Sequence, residues 1–488
     1  MKFKIKNIAY FAIATLLFAS CELDEQRPIS TTSFENFYKT PDDAKTALNG
    51  IYSRFRNASN LFYLYGDMRS ELVVQGDLGA GSDVNRNTIT QNTTGSDWAS
   101  FYEVNNAANL LLENIDDIEF VNESDKNAIK AEALTLRAFT YFYMVRIWGD
   151  VPLITIGISS STQEEVSPES RTSSEEVYTQ IISDINQAKG LFSSEGIKSK
   201  YSISKPALSA LEADVFLWKS KVRGGGDTDL ATALTAVNSA IDNSGAVLLS
   251  SYADVFRSTE ATGEDVFSVF YSQVEQAKTP FWAADFLISG EFFNLLSDES
   301  KEVTPLVSIT QGKTVAQFFT TSDVFRGYFD ELNDEREELY FLDITYSDNT
   351  NSHVFNKFIG SLTGPGTRQF TDDVKIYRLA DLILLKAEIL NAQDNPSAAV
   401  TELNKVRTRA GIGAYLGTVA KADIDTAILK ERAKELGFEG KRWFDLIRFG
   451  EVSNLVPNMV GVDSQKYLWP ISAETRSLNS KLKQTPGY

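Results

Sequence analysis

A single cysteine, Cys21, is the only thiol in this 488-residue chain, so no disulfide within the chain can stabilise its fold. Stability must come from side-chain packing, and a hydrophobic content of 43% is ample for a core. Cys21 follows a segment with lysines at positions 2, 4 and 6 and an apolar run over residues 8–19. That run is shorter than the roughly 20 residues that a helix needs to cross a bilayer. We therefore interpret residues 1–20 as a signal peptide for export.

An exported chain with an unpaired cysteine would carry a free thiol into an oxidising compartment. Acylation of Cys21 removes this liability, and two small residues, Ala19 and Ser20, precede the thiol. The segment resembles a bacterial lipoprotein signal, with Phe18 at a position where leucine is usual. An ordinary signal peptide with an incidental cysteine is the alternative. We predict lipidation at Cys21 and a tether over residues 21–35.

Acidic residues strongly outnumber basic ones in this chain, and the resulting negative charge excludes one class of partner. Its net charge is -19, and removal of residues 1–20 takes away three lysines and no acid, which makes it -22. Such a surface repels phosphate backbones, so we expect no nucleic-acid partner.

Several catalytic and metal-binding signatures are absent from the sequence. The chain has one histidine, His353, and no HExxH, GxSxG, Walker A or GxGxxG motif. We therefore expect no metal site, no cofactor and no catalytic residues. A glycosidase needs only two carboxylates in one cleft, and among 66 acidic residues no pair stands out.

Amphipathic helical patterns occupy most of the chain on either side of a less regular middle. A threonine, a proline and two acids at 40–43 predict the start of the first helix. Ile383 and Leu403 lie on apolar stripes of two neighbouring helices and should both be buried. Helix is expected to resume near Asp373, after short strands within 265–271, 340–346 and 353–358. The predicted helical regions are 40–60, 98–243 and 373–450, and the irregular regions are 62–97 and 244–371.

The helices are short and follow one another in pairs, as tetratricopeptide-like units do, although no strict 34-residue repeat is visible. The predicted fold class is therefore mainly α. It consists of tetratricopeptide-like helix pairs packed with an irregular region that contains short strands. We expect residues 21–488 to form a single domain.

Specific sequence blocks appear in the last third of the chain. They include Arg378 to Glu388, the run through Trp443 and Phe444, and Trp469-Pro470-Ile471-Ser472. In order and spacing they resemble the SusD/RagB family of outer-membrane nutrient-binding lipoproteins. One departure is Ser472, where the family often has a second proline. The matching blocks are 98–109, 137–139, 149–153, 377–388, 403–411, 431–450, 468–472 and 483–488.

The resemblance implies a fold, a location and a role. Such proteins form one α-rich domain with about four tetratricopeptide-like helix pairs. They sit on the outer face of the outer membrane and cap a SusC-like TonB-dependent transporter, to which they deliver oligosaccharides. Some members bind peptides, which is one alternative, and a surface glycosidase is a less favoured one. Glu22, Asp24 and Glu25 resemble the acidic signals that direct such lipoproteins to the cell surface, although a simple tether has the same composition.

A column of like charges marks the C-terminal signature. Glu431, Glu435 and Glu439 are spaced by four residues, which would destabilise an isolated helix. We expect them to form a partly buried ion network above Trp443 and Phe444, with a structural role. The cations expected to pair with the glutamates are Arg432, Lys441, Arg442 and Arg448.

Sugar binding calls for aromatic faces and for polar groups that bond to hydroxyls. Two irregular stretches, 62–95 and 276–291, contain both kinds of residue among glycines or beside a strand. Trp282 could equally be a core residue, and Trp98 is expected in the core. The predicted ligand-binding residues are Tyr65, Asp77, Asp83, Asn85, Arg86, Phe281 and Trp282.

Overall fold

The computed structural model describes residues 37–76, 82–159, 169–258, 260–271, 286, 293–302, 319–364 and 367–488. Most of this part of the chain is helical, as predicted. The α-helices are α1 (Pro41–Ser59), α2 (Phe62–Gly66), α3 (Ala99–Asn114), α4 (Glu123–Trp148), α5 (Ser174–Leu191), α6 (Lys205–Val222), α7 (Asp227–Ser244), α8 (Asp254–Arg257), α9 (Asp298–Lys301), α10 (Asp323–Arg326), α11 (Glu337–Tyr340), α12 (Leu379–Ala392), α13 (Pro396–Arg409), α14 (Lys421–Leu436), α15 (Arg442–Phe449), α16 (Val452–Leu455) and α17 (Ala473–Leu478). The strands are β1 (Val73–Gln75), β2 (Asp265–Val269), β3 (Phe319–Thr321), β4 (Leu342–Thr345), β5 (Asn351–Val354), β6 (Ser361–Gly364), β7 (Thr367–Gln369) and β8 (Val374–Arg378).

The long helices pack in pairs. Helix α1 packs on α3, α4 on α5, α6 on α7, and α12 on α13. Contacts between α7 and α12 join the C-terminal pair to the earlier ones. This arrangement confirms the mainly α fold built from tetratricopeptide-like helix pairs.

The start of α1 illustrates how local sequence sets an element boundary. The Thr40 backbone N–H donates to Asp43 Oδ2 over 2.8 Å, and the Asp43 N–H donates back to Thr40 Oγ1 over 3.3 Å. This reciprocal capping box, with Pro41 in the first turn, satisfies amides that have no partner inside the helix. The predicted start is confirmed.

The strands form short antiparallel ribbons rather than one sheet. Among the described residues, the pairs are β1 with β3, β2 with β8, β4 with β5, and β6 with β7. The expected strand positions within 265–271, 340–346 and 353–358 are confirmed in part, because β5 begins and ends earlier than its predicted segment.

One predicted boundary is wrong. Residues 374–378 form strand β8 instead of the first turn of a helix, and α12 begins only at Leu379. In β8, Lys375 is paired with Ser268 and Arg378 with Asp265, both on β2. Ile376 fits an apolar helical stripe and a buried strand equally well, so the pairing with β2, more than a hundred residues earlier, decides the outcome.

The predicted phase of the two following helices is confirmed. Ile383 on α12 is 4% exposed and Leu403 on α13 is 0% exposed. Both belong to one apolar cluster, to which Ile424 and Ile428 of α14 also contribute. A third helix therefore completes the core of this pair.

The column of glutamates is fully enclosed in a buried ion network. We use that name for Arg336, Arg378, Arg409, Glu431, Glu435 and Glu439. Arg336 Nη1 lies 2.6 Å from Glu431 Oε1 and 3.1 Å from Glu435 Oε2, and Arg378 Nη1 lies 2.6 Å from Glu435 Oε1. Arg409 also contacts Glu435. Burial acts to raise the pKa of Glu435, but Arg409, Arg378 and Arg336 hold it well below its usual value.

The expected partners of the glutamates are wrong, although Trp443 and Phe444 are buried as predicted. Each predicted cation pairs with acids other than these three glutamates. Arg432 contacts Asp381 and Asp445, Lys441 contacts Asp381, Arg442 contacts Glu71, and Arg448 contacts Glu388 and Asp445. Neighbours in sequence were expected to pair, but the fold brings cations to the glutamates from segments up to about a hundred residues away.

None of the described helices is long and apolar enough to cross a membrane.

Candidate ligand-binding face

A compact turn at residues 82–88 lies at the centre of the first irregular stretch. Its backbone is closed by N–H donors of Arg86, Asn87 and Thr88 to the carbonyls of Ser82, Val84 and Asp83, at 2.8–3.0 Å. Asn87 adopts a left-handed φ of 56°, which asparagine tolerates better than most residues. The turn therefore has one defined conformation.

Arg69 fixes this turn to the C-terminal part of the chain. Its Nε donates to Asn87 Oδ1 over 2.9 Å, and the Asn87 amide donates back to Arg69 O over 3.1 Å. The two Nη atoms donate to the carbonyls of Tyr467 and Lys466, at 2.7 and 2.6 Å. The guanidinium also lies 4.2 Å from the ring centroid of Trp443. A buried arginine thus acts as a clamp behind the turn.

Asn85 has a supporting role as well. Its side-chain amide donates to Val73 O over 2.9 Å, which attaches the turn to β1. A second donor contact to Met68 O spans 3.4 Å. Because these backbone carbonyls use its amide, Asn85 mainly positions the turn, and only its half-buried edge is left for a ligand.

Asp83 and Arg86 are the predicted residues that the turn exposes. Their side chains are 49% and 50% exposed, and Arg86 Nη2 lies 3.3 Å from Asp83 Oδ1. An exposed ion pair of this kind contributes little to stability. Opening this one ion pair would therefore cost little free energy.

One residue of the second irregular stretch, Phe286, is described, and it lies beside β3. Phe286 is fully buried, and its ring centroid lies 5.9 Å from that of Phe319 on β3. Phe319 is paired in register with Gln75 on β1. We call the turn 82–88 together with β1 and β3 the ligand face.

The single histidine supports β3 from the neighbouring ribbon. His353 Nε2 lies 2.8 Å from Thr321 Oγ1 and 3.0 Å from Thr321 O. Burial lowers the pKa of His353, so the ring is neutral at neutral pH. These contacts give His353 a structural function in positioning β3.

The structure contradicts the prediction that Tyr65 contacts a ligand. It is 0% exposed, its hydroxyl donates to Gly95 O over 2.8 Å, and its ring packs edge-on against Trp148 and Trp469. Its position on the short helix α2 turns it into the core. Tyr65 is therefore a core residue and not a ligand contact. Trp98 is 4% exposed, which confirms its expected core position.

The remaining predicted site residues, Asp77, Phe281, Trp282 and the lipidation site Cys21, lie outside the described residues. They remain predictions.

Arg69 and Asn87 are the positioning residues that the sequence pattern missed. Asn87, in a stretch rich in Gly, Asn and Asp, carries a recognisable signal for a positive φ. Arg69 carries no local signal, since its carbonyl partners lie almost 400 residues later in the chain.

The described residues contain no group of three or more His, Cys, Asp or Glu side chains placed to hold a metal ion. The groups that the turn exposes are hydrogen-bond donors and acceptors. A ligand that offers both hydrogen-bond donors and acceptors can bond to them.

Two protein-family models match this chain, each over a different part. The chain matches the family model described as "SusD family" over residues 308–488. Residues 23–217 match a model described as "Starch-binding associating with outer membrane". The two matches lie in different halves of the chain, so they are independent.

Relatives of similar length cover all or nearly all of the chain. A SusD-like protein of Formosa agariphila is 27% identical, and the alignment covers 100% of both chains. Among solved structures, B. fragilis NanU has a TM-score of 0.83 at 28% identity, covering 94% of this chain and 99% of that one. A SusD superfamily protein from Bacteroides vulgatus has a TM-score of 0.80 at 26% identity, with 92% and 100% covered.

The paired helices define a class of mainly α proteins built from tetratricopeptide-like units. Within that class, the chain belongs to the SusD/RagB family. The family match gives it a SusD-type nutrient-binding role and an association with the outer membrane.

Proposed function

We propose that the protein is a surface lipoprotein that binds oligosaccharides at the ligand face. It then delivers them to a partner SusC-like TonB-dependent transporter in the outer membrane. Acylated Cys21 anchors it, and the acidic tether over residues 21–35 separates the body from the lipid surface. The family match supports the nutrient-binding role, and the nature of the ligand is our inference.

The observation that carries this proposal is the exposed pair of Asp83 and Arg86 on a clamped turn. A carboxylate accepts hydrogen bonds from sugar hydroxyls and a guanidinium donates to them, so together they match groups that are both donor and acceptor. The clamp from Arg69 holds the turn in place before binding, which reduces the entropy lost when a ligand binds.

Aromatic faces are the second requirement, and Phe281 and Trp282 are the proposed platforms. They precede Phe286, whose ring is buried beside β3. Phe286 therefore brings this stretch of the sequence to the ligand face at one point.

Titration calorimetry of the mature chain against a panel of neutral oligosaccharides tests the proposal. Asp83→Ala and Arg86→Ala should each weaken binding by about 1–3 kcal/mol. Trp282→Ala should abolish binding with little change in melting temperature if the ring stacks on the sugar. If Trp282 is a core residue, the same change should instead lower stability by about 3–5 kcal/mol.

The matched control is a second exposed pair with the same spacing. Asp42 and Lys45 lie 3.2 Å apart near the start of α1. Asp42→Ala and Lys45→Ala should leave binding unchanged. Full affinity in the Asp83, Arg86 and Trp282 variants together would place the site elsewhere, and binding of peptides alone would exclude the oligosaccharide ligand.

The anchor is tested separately by Cys21→Ala. Because Cys21 is the sole thiol, this variant should lose lipid labelling and leave the membrane fraction. Recovery of labelled, membrane-bound Cys21→Ala protein would contradict the lipoprotein assignment. Co-purification of the wild-type chain with an outer-membrane transporter tests the partner.

A further inference from the structure

A second concave site lies apart from the ligand face, between α1, α4 and β2. It is a groove of about 610 Å³, within the range of about 300–1,000 Å³ that is typical of small-ligand clefts. Its inner lining is mostly apolar, with Phe55 of α1 and Phe267 of β2 each 1% exposed. The residues at its mouth are polar or aromatic. None of the residues that line it belongs to the turn 82–88, β1 or β3.

A carboxylate is fixed on one wall of this groove. The Tyr52 hydroxyl donates to Glu132 Oε2 over 2.5 Å and accepts from the Ile203 N–H over 2.7 Å. Tyr52 is therefore held from two sides, and it holds Glu132 in turn. Burial raises the pKa of Glu132 to about 7, although the hydrogen bond from Tyr52 and the charge of Lys198 act to lower it. Such a carboxyl can serve both as an acceptor and as a donor near neutral pH.

Aromatic rings form another wall. The ring centroids of Tyr201 and Phe270 lie 4.9 Å apart in an edge-on arrangement, and both rings are half-buried. The Tyr201 hydroxyl donates to Asp373 Oδ2 over 2.8 Å and accepts from the Ala261 N–H over 2.5 Å. Because its hydroxyl is bound at one end, Tyr201 has a fixed ring orientation. Fixed aromatic rings beside polar groups are what the C–H faces of a sugar require.

The inner lining contains an unsatisfied polar atom. Ser268 on β2 is fully buried and lines the groove, and none of the described residues supplies a hydrogen-bond partner for its Oγ. A buried hydroxyl without a partner is costly, so a bound hydroxyl or a water molecule that reaches this point would be stabilised.

The charge of the groove selects the kind of ligand. Among the described residues that line it, Arg56 and Glu132 are charged, one cationic and one acidic. Their charges offset each other when Glu132 is ionised. Asn49, Ser53 and Ser202 add neutral donors and acceptors at the mouth. A neutral, hydroxyl-rich ligand with apolar faces therefore fits better than a polyanion or a hydrocarbon chain.

We infer that this groove is a second saccharide-binding site, which takes a neutral oligosaccharide segment independently of the ligand face. The inference rests on the proposed function for the class of ligand. It adds a second point of attachment, and two attached points on one chain of sugar bind more tightly than either alone.

Blocking the groove is the direct test. Ser53 is exposed on α1 and lines the groove, so Ser53→Trp should fill it without disturbing the core. Arg54→Trp, at the next position on α1, is the matched control, because Arg54 is exposed but does not line the groove. Melting temperatures of both variants, compared with that of the wild type, show whether each is folded.

Calorimetric titration of the mature chain with the same panel of neutral oligosaccharides separates the outcomes. We expect Ser53→Trp to remove one of two binding events, or to weaken a single bivalent event by about tenfold or more. Arg54→Trp should bind like the wild type. Glu132→Gln, which keeps an acceptor for Tyr52, should alter the affinity of the same event and leave the one that depends on Asp83 unchanged.

The two proposals fail in different ways. If Ser53→Trp binds like the wild type while Asp83→Ala does not, the groove is not a saccharide site and the proposed function stands. If Asp83→Ala binds like the wild type while Ser53→Trp does not, the groove is the main site and the ligand face is wrong. If no oligosaccharide of the panel binds to the wild type, both proposals are overturned.

Discussion

Arg378 and Arg86 carry the same guanidinium group in two regions that use it differently. In the buried ion network, Arg378 Nη1 lies 2.6 Å from carboxylates of both Glu264 and Glu435, and Nη2 lies 2.8 Å from Glu439. On the ligand face, Arg86 pairs with Asp83 at 3.3 Å, and both side chains are half exposed. Removing a buried charge leaves its partners without compensation, whereas water replaces an exposed one. Similar residues therefore stabilise the scaffold in one place and are available to a ligand in the other.

The largest expected effect comes from removing one charge from the buried ion network. Arg378→Met removes the charge and keeps much of the volume, but it leaves Glu264, Glu435 and Glu439 short of a partner. We expect a loss of about 3–5 kcal/mol in the free energy of unfolding, measured by denaturant titration. Arg86→Met is the matched control and should cost less than about 0.5 kcal/mol. Equal losses in the two variants would contradict the distinction between the regions.

Apolar packing in the same scaffold should give the next largest effect. Ile383→Ala and Leu403→Ala each remove buried methyl groups between α12, α13 and α14. Each should lower the free energy of unfolding by about 2–5 kcal/mol. Leu416, which is 96% exposed, provides the control, and Leu416→Ala should have almost no effect. A loss below about 1 kcal/mol at Ile383 or Leu403 would show that the site collapses without leaving a cavity.

Two carboxylates with opposite pKa shifts, Glu388 and Glu132, extend the comparison to the pH dependence of stability. Burial acts to raise the pKa of Glu388, but Arg448 and Lys221 hold it at about 2, below its usual 4.5. Its contribution to stability is therefore present above pH 4.5 and is lost as pH falls towards 2. Glu388→Gln should cost about 3 kcal/mol near pH 7, and the difference from wild type should narrow in acid.

Glu132 should show the opposite dependence of stability on pH. Burial raises its pKa from 4.5 to about 7. Between these pH values the unfolded chain loses the proton of Glu132 before the folded chain does, so a rise in pH lowers stability. The contribution of Glu132 to stability is fully present below pH 4.5 and is lost as pH rises through 7. Glu132→Gln should thus stabilise the protein by about 1–3 kcal/mol at pH 8 and leave it nearly unchanged at pH 4. Denaturant titrations at the two pH values test both variants, and parallel profiles would show that neither carboxyl is shifted.

The helical scaffold could be predicted because its signals are local. The capping residues at 40–43 and the apolar stripes through Ile383 and Leu403 depend on residues one or two turns apart. The pairing of Glu435 with Arg336 and Arg378 could not be predicted in the same way, because it depends on segments that only the fold brings together. Strand β8 was missed for the same reason.

At the candidate site, the sequence identified a stretch with exposed polar groups, but not which of its side chains the fold turns inward. Asp83 and Arg86 are exposed on the turn, as a ligand contact requires. Asn85 and Tyr65 have the same polar or aromatic chemistry, but their side chains bond to the backbone of Val73 and Gly95. Composition can identify hydrogen-bonding residues in a loop. Which of them the fold turns inward depends on tertiary contacts such as the one between Arg69 and Asn87.

The smallest expected effect concerns the stability of the exposed pair. A double-mutant cycle with Asp83→Ala and Arg86→Ala should give a coupling of about 0.2–1 kcal/mol in the free energy of unfolding. Because the pair is exposed, the coupling should shrink further in about 1 M salt, where the Debye length is near 3 Å. In the buried network, the cost of Arg378→Met should persist in the same salt. A salt-resistant coupling above about 2 kcal/mol at Asp83 and Arg86 would mean that the pair is part of the scaffold. It would then be too costly to open for a ligand, and the binding groups of the face would have to be sought elsewhere.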